Sequence, residues 1–186
     1  CQESIFRYPP NSDNFLLVAK LWSLMNLPPC SLVEAANSFA PALHRLNKIT
    51  AIGGVQFWDD SKATNFHATL AALQSFNGPI VWIGGGRSKG GDIQAFIKKV
   101  VQKVDVAVLY GEVADCIVTS LGSSPASVHV YPLFEDAVLA AAKIGLSIPH
   151  ANVLLSPGFS SFDQFKSYEE RGKSFTRIVL SLKSTH

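Results

Sequence analysis

After Lys48 the chain settles into a single rhythm: a short run rich in Val and Ile, a loop of small and polar residues, then a stretch with apolar residues at helical spacing. "VQFWDD" leads to "FHATLAALQSF", "PIVWIGG" to "DIQAFIKKVVQKV", and "VAVLYG" to "EVADCIVTSL"; "SVHVYP" leads to "FEDAVLAAAKIGL" and "NVLLSPG" to "SFDQFKSYEERGKSFTRIVLSL". Apolar runs of this kind suit strands buried on both faces, and each intervening helix supplies the crossover that a parallel pair requires. Five such units predict an α/β fold, a three-layer α/β/α Rossmann-like domain with a mostly parallel sheet. From Asn11 to Asn47 no strand signal occurs: "NFLLVAKLWSLMNL" reads as a helix, a "PP" break follows, and "SLVEAANSFA" places Ser31 and Glu34 at capping-box spacing. The chain is therefore expected to divide into a helical segment, 1–47, and an α/β domain, 48–186.

Composition narrows the function. With 47% hydrophobic and 16% charged residues and a net charge of +2, the balance is that of a globular protein and too mild for nucleic acid or an anionic membrane surface. The longest apolar runs fall far short of the roughly 20 residues that cross a bilayer. Cys1, Cys30 and Cys116 form no C-x-x-C pair, and the five histidines show no metal spacing. A cytoplasmic monomer acting on small molecules is expected. Because the first residue is Cys1 and not Met, a piece of a longer protein is expected too.

In open parallel sheets, ligands bind beyond the carboxyl ends of the strands, which selects the loops "DDSKATN", "GGGRSKGGD" and "SPGFSSFDQ". After the first, Phe66, Leu70, Leu73 and Phe76 form a helical stripe, so the loop points at a helix N-terminus where anions are favoured, and Lys62 adds a charge. The same residues fit a plain cap by Asn65 or Thr64 with a solvated Asp60–Lys62 pair. The second loop lacks both the dinucleotide spacing and the G-K-[ST] phosphate loop. What remains is a flexible backbone with Arg87 and Lys89, suited to a carboxylate or phosphate or simply to a turn with solvated charges. In the third, Ser161 and Gln164 fit a capping box, and the helix then expected would turn Phe162, Phe165, Phe175 and Val179 toward the core. No G-x-S-x-G occurs, so a serine hydrolase has no support.

Taken together, "HR" at His44 and Arg45, "GVQFWDDSKATN", "IGGGRSKG" and "LLSPGFSSFDQFKSYEERGKSF" resemble the C-terminal domain of the bacterial Mur ligases, more narrowly the D-glutamate-adding members. The helical opening resembles the tail of their central ATP-binding domain, with an asparagine pair at Asn11 and Asn14. The resemblance implies ATP-dependent amide synthesis in peptidoglycan precursor formation. ATP phosphorylates the carboxylate of UDP-N-acetylmuramoyl-L-alanine, and the amine of D-glutamate attacks the acyl phosphate. It places Asn11, Asn14, Arg45, Asp60 and Lys62 at ATP, gives Lys62 and Asp60 the catalytic role, and puts Thr64, Lys89, Ser161, Phe162 and Tyr168 around D-glutamate. The phosphate loop and the Mg2+ ligands would lie in a central domain outside this chain, so the chain alone is expected to be inactive. A sister Mur ligase, a folylpolyglutamate synthase-like ligase, and a non-catalytic nucleotide-binding α/β module are the alternatives.

Overall fold

A computed structural model describes residue 6 and residues 11–40, 42–121 and 126–183, with the Asn11 side chain outside the described set. The chain separates between Ala42 and Leu43 into two compact units. The first holds α1 (Asn11–Leu24) and α2 (Pro29–Ser38). Trp22 Nε1 donates to Pro28 O at 3.0 Å across the turn between them. Pro29 opens α2, where its missing N–H costs nothing. Ser31 therefore lies inside the first turn, and the expected Ser31–Glu34 box is replaced by a Pro28 N-cap without a side-chain hydrogen bond.

The second unit carries β1 (Asn47–Ile52), β2 (Val55–Asp59), α3 (Phe66–Leu73), β3 (Ile80–Gly85), α4 (Ile93–Val100), β4 (Val106–Tyr110) and α5 (Ala114–Leu121). It continues with β5 (Ser127–Tyr131), α6 (Phe134–Leu146), β6 (Asn152–Gly158) and α7 (Tyr168–Lys183). Its six strands run in the order β1-β2-β6-β3-β4-β5. From β2 to β5 every pairing is parallel, as the repeated strand-helix units require. β1 adds what the sequence reading did not anticipate, an antiparallel edge strand. It turns back through Gly53 and Gly54, both at positive φ (57° and 84°), the two-residue turn whose twist matches a hairpin.

Alternation along the strands sorts the core into two layers. Val81, Ile83, Val153 and Leu155 face one side, with Phe134 and Val138 of α6 and Phe175 and Val179 of α7. Trp82 and Leu154 face the other, with Leu73 of α3, Phe96 and Ile97 of α4 and Ile117 of α5. Burial of each such side chain contributes about 1.5–3 kcal/mol, enough to hold the sheet as a rigid base. The carboxyl ends of β2, β6, β3 and β4 lie side by side, and the three loops singled out above leave from three of them.

Candidate functional site

The loop after β2 is built around inward-turned carboxylates. Asp59 Oδ2 meets His44 Nδ1 at 2.6 Å, and its Oδ1 accepts from Ser61 N at 2.9 Å. Asp60 accepts from Leu46 N at 3.1 Å with Oδ1 and from Ser156 Oγ at 2.7 Å with Oδ2. Burial pushes the Asp60 carboxyl up to about 7, against the opposing pull of the Ser156 and Leu46 hydrogen bonds. The two carboxylates thus clamp the turn His44-Arg45-Leu46, in which His44 and Leu46 hold left-handed φ values of 61° and 49°. Such strain persists only where surrounding contacts over-determine it. The turn presents Arg45 to solvent, and its His44 carbonyl accepts from Lys62 N at 2.9 Å.

Lys62 is half-buried, with Nζ 5.6 Å from the centre of the Tyr168 ring, within cation–π range. Asn65 caps α3 by accepting from Ala68 N at 2.9 Å, so the plain capping role is filled by Asn65 while Lys62 stays available. Thr64 is half-buried beside it.

The glycine loop needs its glycines for close approach. A Cβ on Gly85 would fall 2.0 Å from Tyr110 O, one on Gly86 would fall 2.2 Å from Ser160 O, and both residues have positive φ. Arg87 and Ser160 exchange backbone hydrogen bonds at 2.9 and 3.1 Å, and Ser160 Oγ donates to Arg87 O at 2.8 Å, tying the second loop to the third. The Arg87 side chain forks onto Glu112, Nε to Oε2 at 2.8 Å and Nη2 to Oε1 at 2.6 Å. That fork holds the Glu112 carboxyl below its usual range. Arg87 is therefore engaged, whereas Lys89 is exposed and has no ion pair among the described residues.

The third loop departs from the expected helix start. Ser161 O accepts from Gln164 N and Phe165 N in a single turn, and the continuous helix α7 begins only at Tyr168. The Gln164 side chain bonds instead to Phe134 N and Pro132 O, both at 2.9 Å. Ser161 is buried and Phe162 is 60% exposed, so Phe162 does not turn into the core. Phe165 does, edge-on to Phe134.

Sequence reasoning passed over Arg171 and Gly172. Arg171 is fully buried and donates to Ser61 Oγ (2.9 Å), Ser61 O (2.9 Å), Phe159 O (3.2 Å) and Tyr110 Oη (3.0 Å). A Cβ on Gly172 would lie 2.2 Å from His44 Nδ1. The signal was present: Arg171 stands one turn before Phe175 on the core stripe of α7, where an apolar residue belongs. Asp163 was missed as well; both its carboxylate oxygens are buried, and burial raises its pKa against the opposing pull of nearby backbone amides and the Arg171 charge.

The structure thus brings Arg45, Lys62 and Tyr168 together, with Thr64, Lys89, Ser161 and Phe162 on loops at the same end of the sheet. Asp60 lies beneath them with its carboxylate turned to Leu46 and Ser156. Asn14 is exposed on α1 of the first unit, and the Asn11 side chain lies outside the described residues. Among the described residues, no group of three or more His, Cys, Asp or Glu is placed to hold a metal ion, and no helix is long and apolar enough to cross a membrane.

Residues 44–158 match the family model described as "Mur ligase, glutamate ligase domain". The UDP-N-acetylmuramoylalanine--D-glutamate ligase of Pelotomaculum thermopropionicum is 38% identical over 174 residues, 93% of this chain and 38% of that protein. The same-named protein of Desulfatibacillum aliphaticivorans is 41% identical over 148 residues, 80% and 32% of the two chains. The chain thus spans well under half the length of these relatives. In fold it is similar to UDP-N-acetylmuramate-alanine ligase MurC from Thermotoga maritima (TM-score 0.69, 18% identity, 95% of this chain and 38% of that one). MurF from Acinetobacter baumannii is a further match (TM-score 0.66, 17% identity, 91% and 38%). With fold and sequence in agreement, the chain belongs to the Mur ligase family, residues 44–158 matching its glutamate ligase domain.

Proposed function

We propose that this chain is the C-terminal part of an ATP-dependent ligase that joins D-glutamate to UDP-N-acetylmuramoyl-L-alanine through an acyl phosphate. The observation that carries the reading is the sorting of charge at the carboxyl end of the sheet. Asp59 and Asp60 are turned inward and engaged, while Arg45, Lys62 and Lys89 are left to meet a ligand, so the mouth of the site is cationic. D-glutamate brings two carboxylates and ATP a chain of phosphates, and both need cations held in place more than a protein nucleophile. The names of the relatives at 34–41% identity support this choice of amino acid.

In this reading Arg45 and Lys62 meet the ATP phosphates, Asp60 fixes the turn that presents Arg45, and Asn11 and Asn14 are nucleotide-binding residues of the first unit, which would be the end of the central ATP-binding domain, closing at Ala42 and not at the expected residue 47. Thr64, Lys89, Ser161, Phe162 and Tyr168 surround D-glutamate. Mg2+, which would neutralise phosphate charge, would be held by residues outside this chain. The protein would act as a cytoplasmic monomer. The test is phosphate release by the full-length protein with ATP, Mg2+, UDP-N-acetylmuramoyl-L-alanine and one amino acid at a time. Release with D-glutamate but not with L-alanine or L-lysine is expected, and a preference for another amino acid would replace this reading with a sister ligase. The 186-residue chain is expected to release none, and sustained release from it would show a complete site here.

A further inference from the structure

We infer that Arg171 is a positioning residue that couples the nucleotide end of the site to the amino-acid end. The inference rests on the proposed placement of Lys62 at the phosphates and Tyr168 at D-glutamate. One guanidinium bonds to two of the three loops and lies close to the root of the other. Two of its nitrogens hold Ser61 of the first, Nε at the hydroxyl and Nη2 at the carbonyl. Nη2 also reaches Phe159 O of the third. A Cβ on Gly86, at the root of the second, would lie 3.3 Å from Nη1. No salt bridge involves Arg171 among the described residues: its hydrogen bonds go to carbonyl and hydroxyl oxygens, and the Asp163 carboxylate acts on its charge from beyond contact distance. Holding two loops from one side chain uses the fixed fork of donors that arginine offers and lysine lacks.

The coupling runs through Ser61. Its carbonyl and hydroxyl are fixed by Arg171, which fixes the start of the next residue, Lys62. The same hydroxyl donates to Tyr168 O at 2.8 Å, at the first residue of α7. Arg171 sits one turn further along that helix. A displacement of Ser61 therefore moves Lys62 and Tyr168 together, and the Lys62 ammonium already rests over the Tyr168 ring. Tyr110 Oη accepts from the same guanidinium but touches neither residue, which makes it an internal control.

The experiment compares Ser61→Ala, Arg171→Lys and Tyr110→Phe in the full-length protein. Ser61→Ala removes a buried partner of a charged donor and is expected to raise KM for both ATP and D-glutamate by about tenfold. Arg171→Lys keeps the charge but replaces three nitrogens by one, and should behave in the same way. Tyr110→Phe also strips one hydrogen bond from the guanidinium; it should lower the melting temperature and leave both KM values near the parent's. Parental KM values in Ser61→Ala, or equal rises in Tyr110→Phe, would overturn the inference in favour of a purely structural arginine. Hydrogen exchange supplies a readout independent of turnover, so failure of the parent to use D-glutamate would remove the functional reading alone. Faster exchange in both 59–65 and 159–168 for Ser61→Ala, and in neither for Tyr110→Phe, supports the coupling. Acceleration confined to 59–65 refutes it.

Discussion

The loop after β2 and the loop after β3 leave neighbouring regions of one sheet, yet they are built on opposite terms. In the first, Asp59, Asp60 and Ser61 are buried and each polar side chain has a named partner. In the second, Arg87 to Gly91 are exposed, and the restraints gather on Arg87, through its backbone bridge and hydroxyl bond to Ser160 and its surface ion pair to Glu112, leaving beyond it a local bond from Gly90 N to Ser88 Oγ. Groups that must meet a transferring phosphoryl gain from being fixed in advance. A cation that closes on an incoming amino acid gains from a backbone able to adjust. The difference teaches that acidic residues in a ligand-facing loop can be there for the backbone and not for the ligand.

The comparison can be broken at its strong end first. Asp60→Ala leaves Leu46 N–H and Ser156 Oγ without their acceptor, and a loss of about 2–4 kcal/mol in urea unfolding is expected. A cost within about 0.5 kcal/mol, the range of ordinary surface substitutions, would mean the clamp is not structural. Lys62→Ala should leave stability unchanged and lower kcat of the full-length ligase by about a hundredfold, with a smaller effect on D-glutamate KM. Wild-type turnover would reduce the loop to a helix cap. Gly172→Ala pushes a methyl group into the His44 ring and should destabilise by about 1–3 kcal/mol, read as a shift in the urea midpoint.

Titration sharpens the same contrast. The Asp60 carboxyl moves from an ordinary 3.8 to about 7 on folding, so between those values the native state holds a proton that the unfolded chain has released. Its contribution to stability therefore falls as pH rises through that window and levels off above about 7. Asp60→Asn should remove that part of the slope, measured as urea midpoints at about pH 5 and 8. At the weak end, Lys89→Ala is expected to raise D-glutamate KM about tenfold while ATP KM stays near its parental value. Glu112→Gln, which breaks only a half-exposed ion pair, should leave the melting temperature within error.

Most of the sheet was legible because its strands are apolar without alternation and its helices carry a clean stripe. β1 was not, although "IGGV" is a hairpin signal: "NKITAI" mixes polar and apolar residues as an edge strand does. Within the site, Lys62 and Lys89 lie on the loops that leave β2 and β3, and Tyr168 opens α7. The Ser161 turn was misread because S-x-x-Q spacing also occurs at an isolated turn in which no capping box forms, and the partners of Gln164, Phe134 and Pro132, lie about thirty residues away. The roles of His44, Asp59 and Arg171 depend on bonds across 15 and 110 residues, a separation that no local pattern reports.

The place of β6 has a bearing on how the protein is made. It lies between β2 and β3 in the sheet, yet its residues, 152–158, follow β2 by almost a hundred positions. At roughly 5–20 residues per second of synthesis, β2 waits roughly 5–20 s for its partner and β3 roughly 3–13 s, with the slot between them empty and their facing edges unpaired. Such edges invite pairing with other chains. The domain is therefore obliged to close late, and conditions that slow translation or crowd nascent chains should reduce its soluble yield before any substitution in the site does.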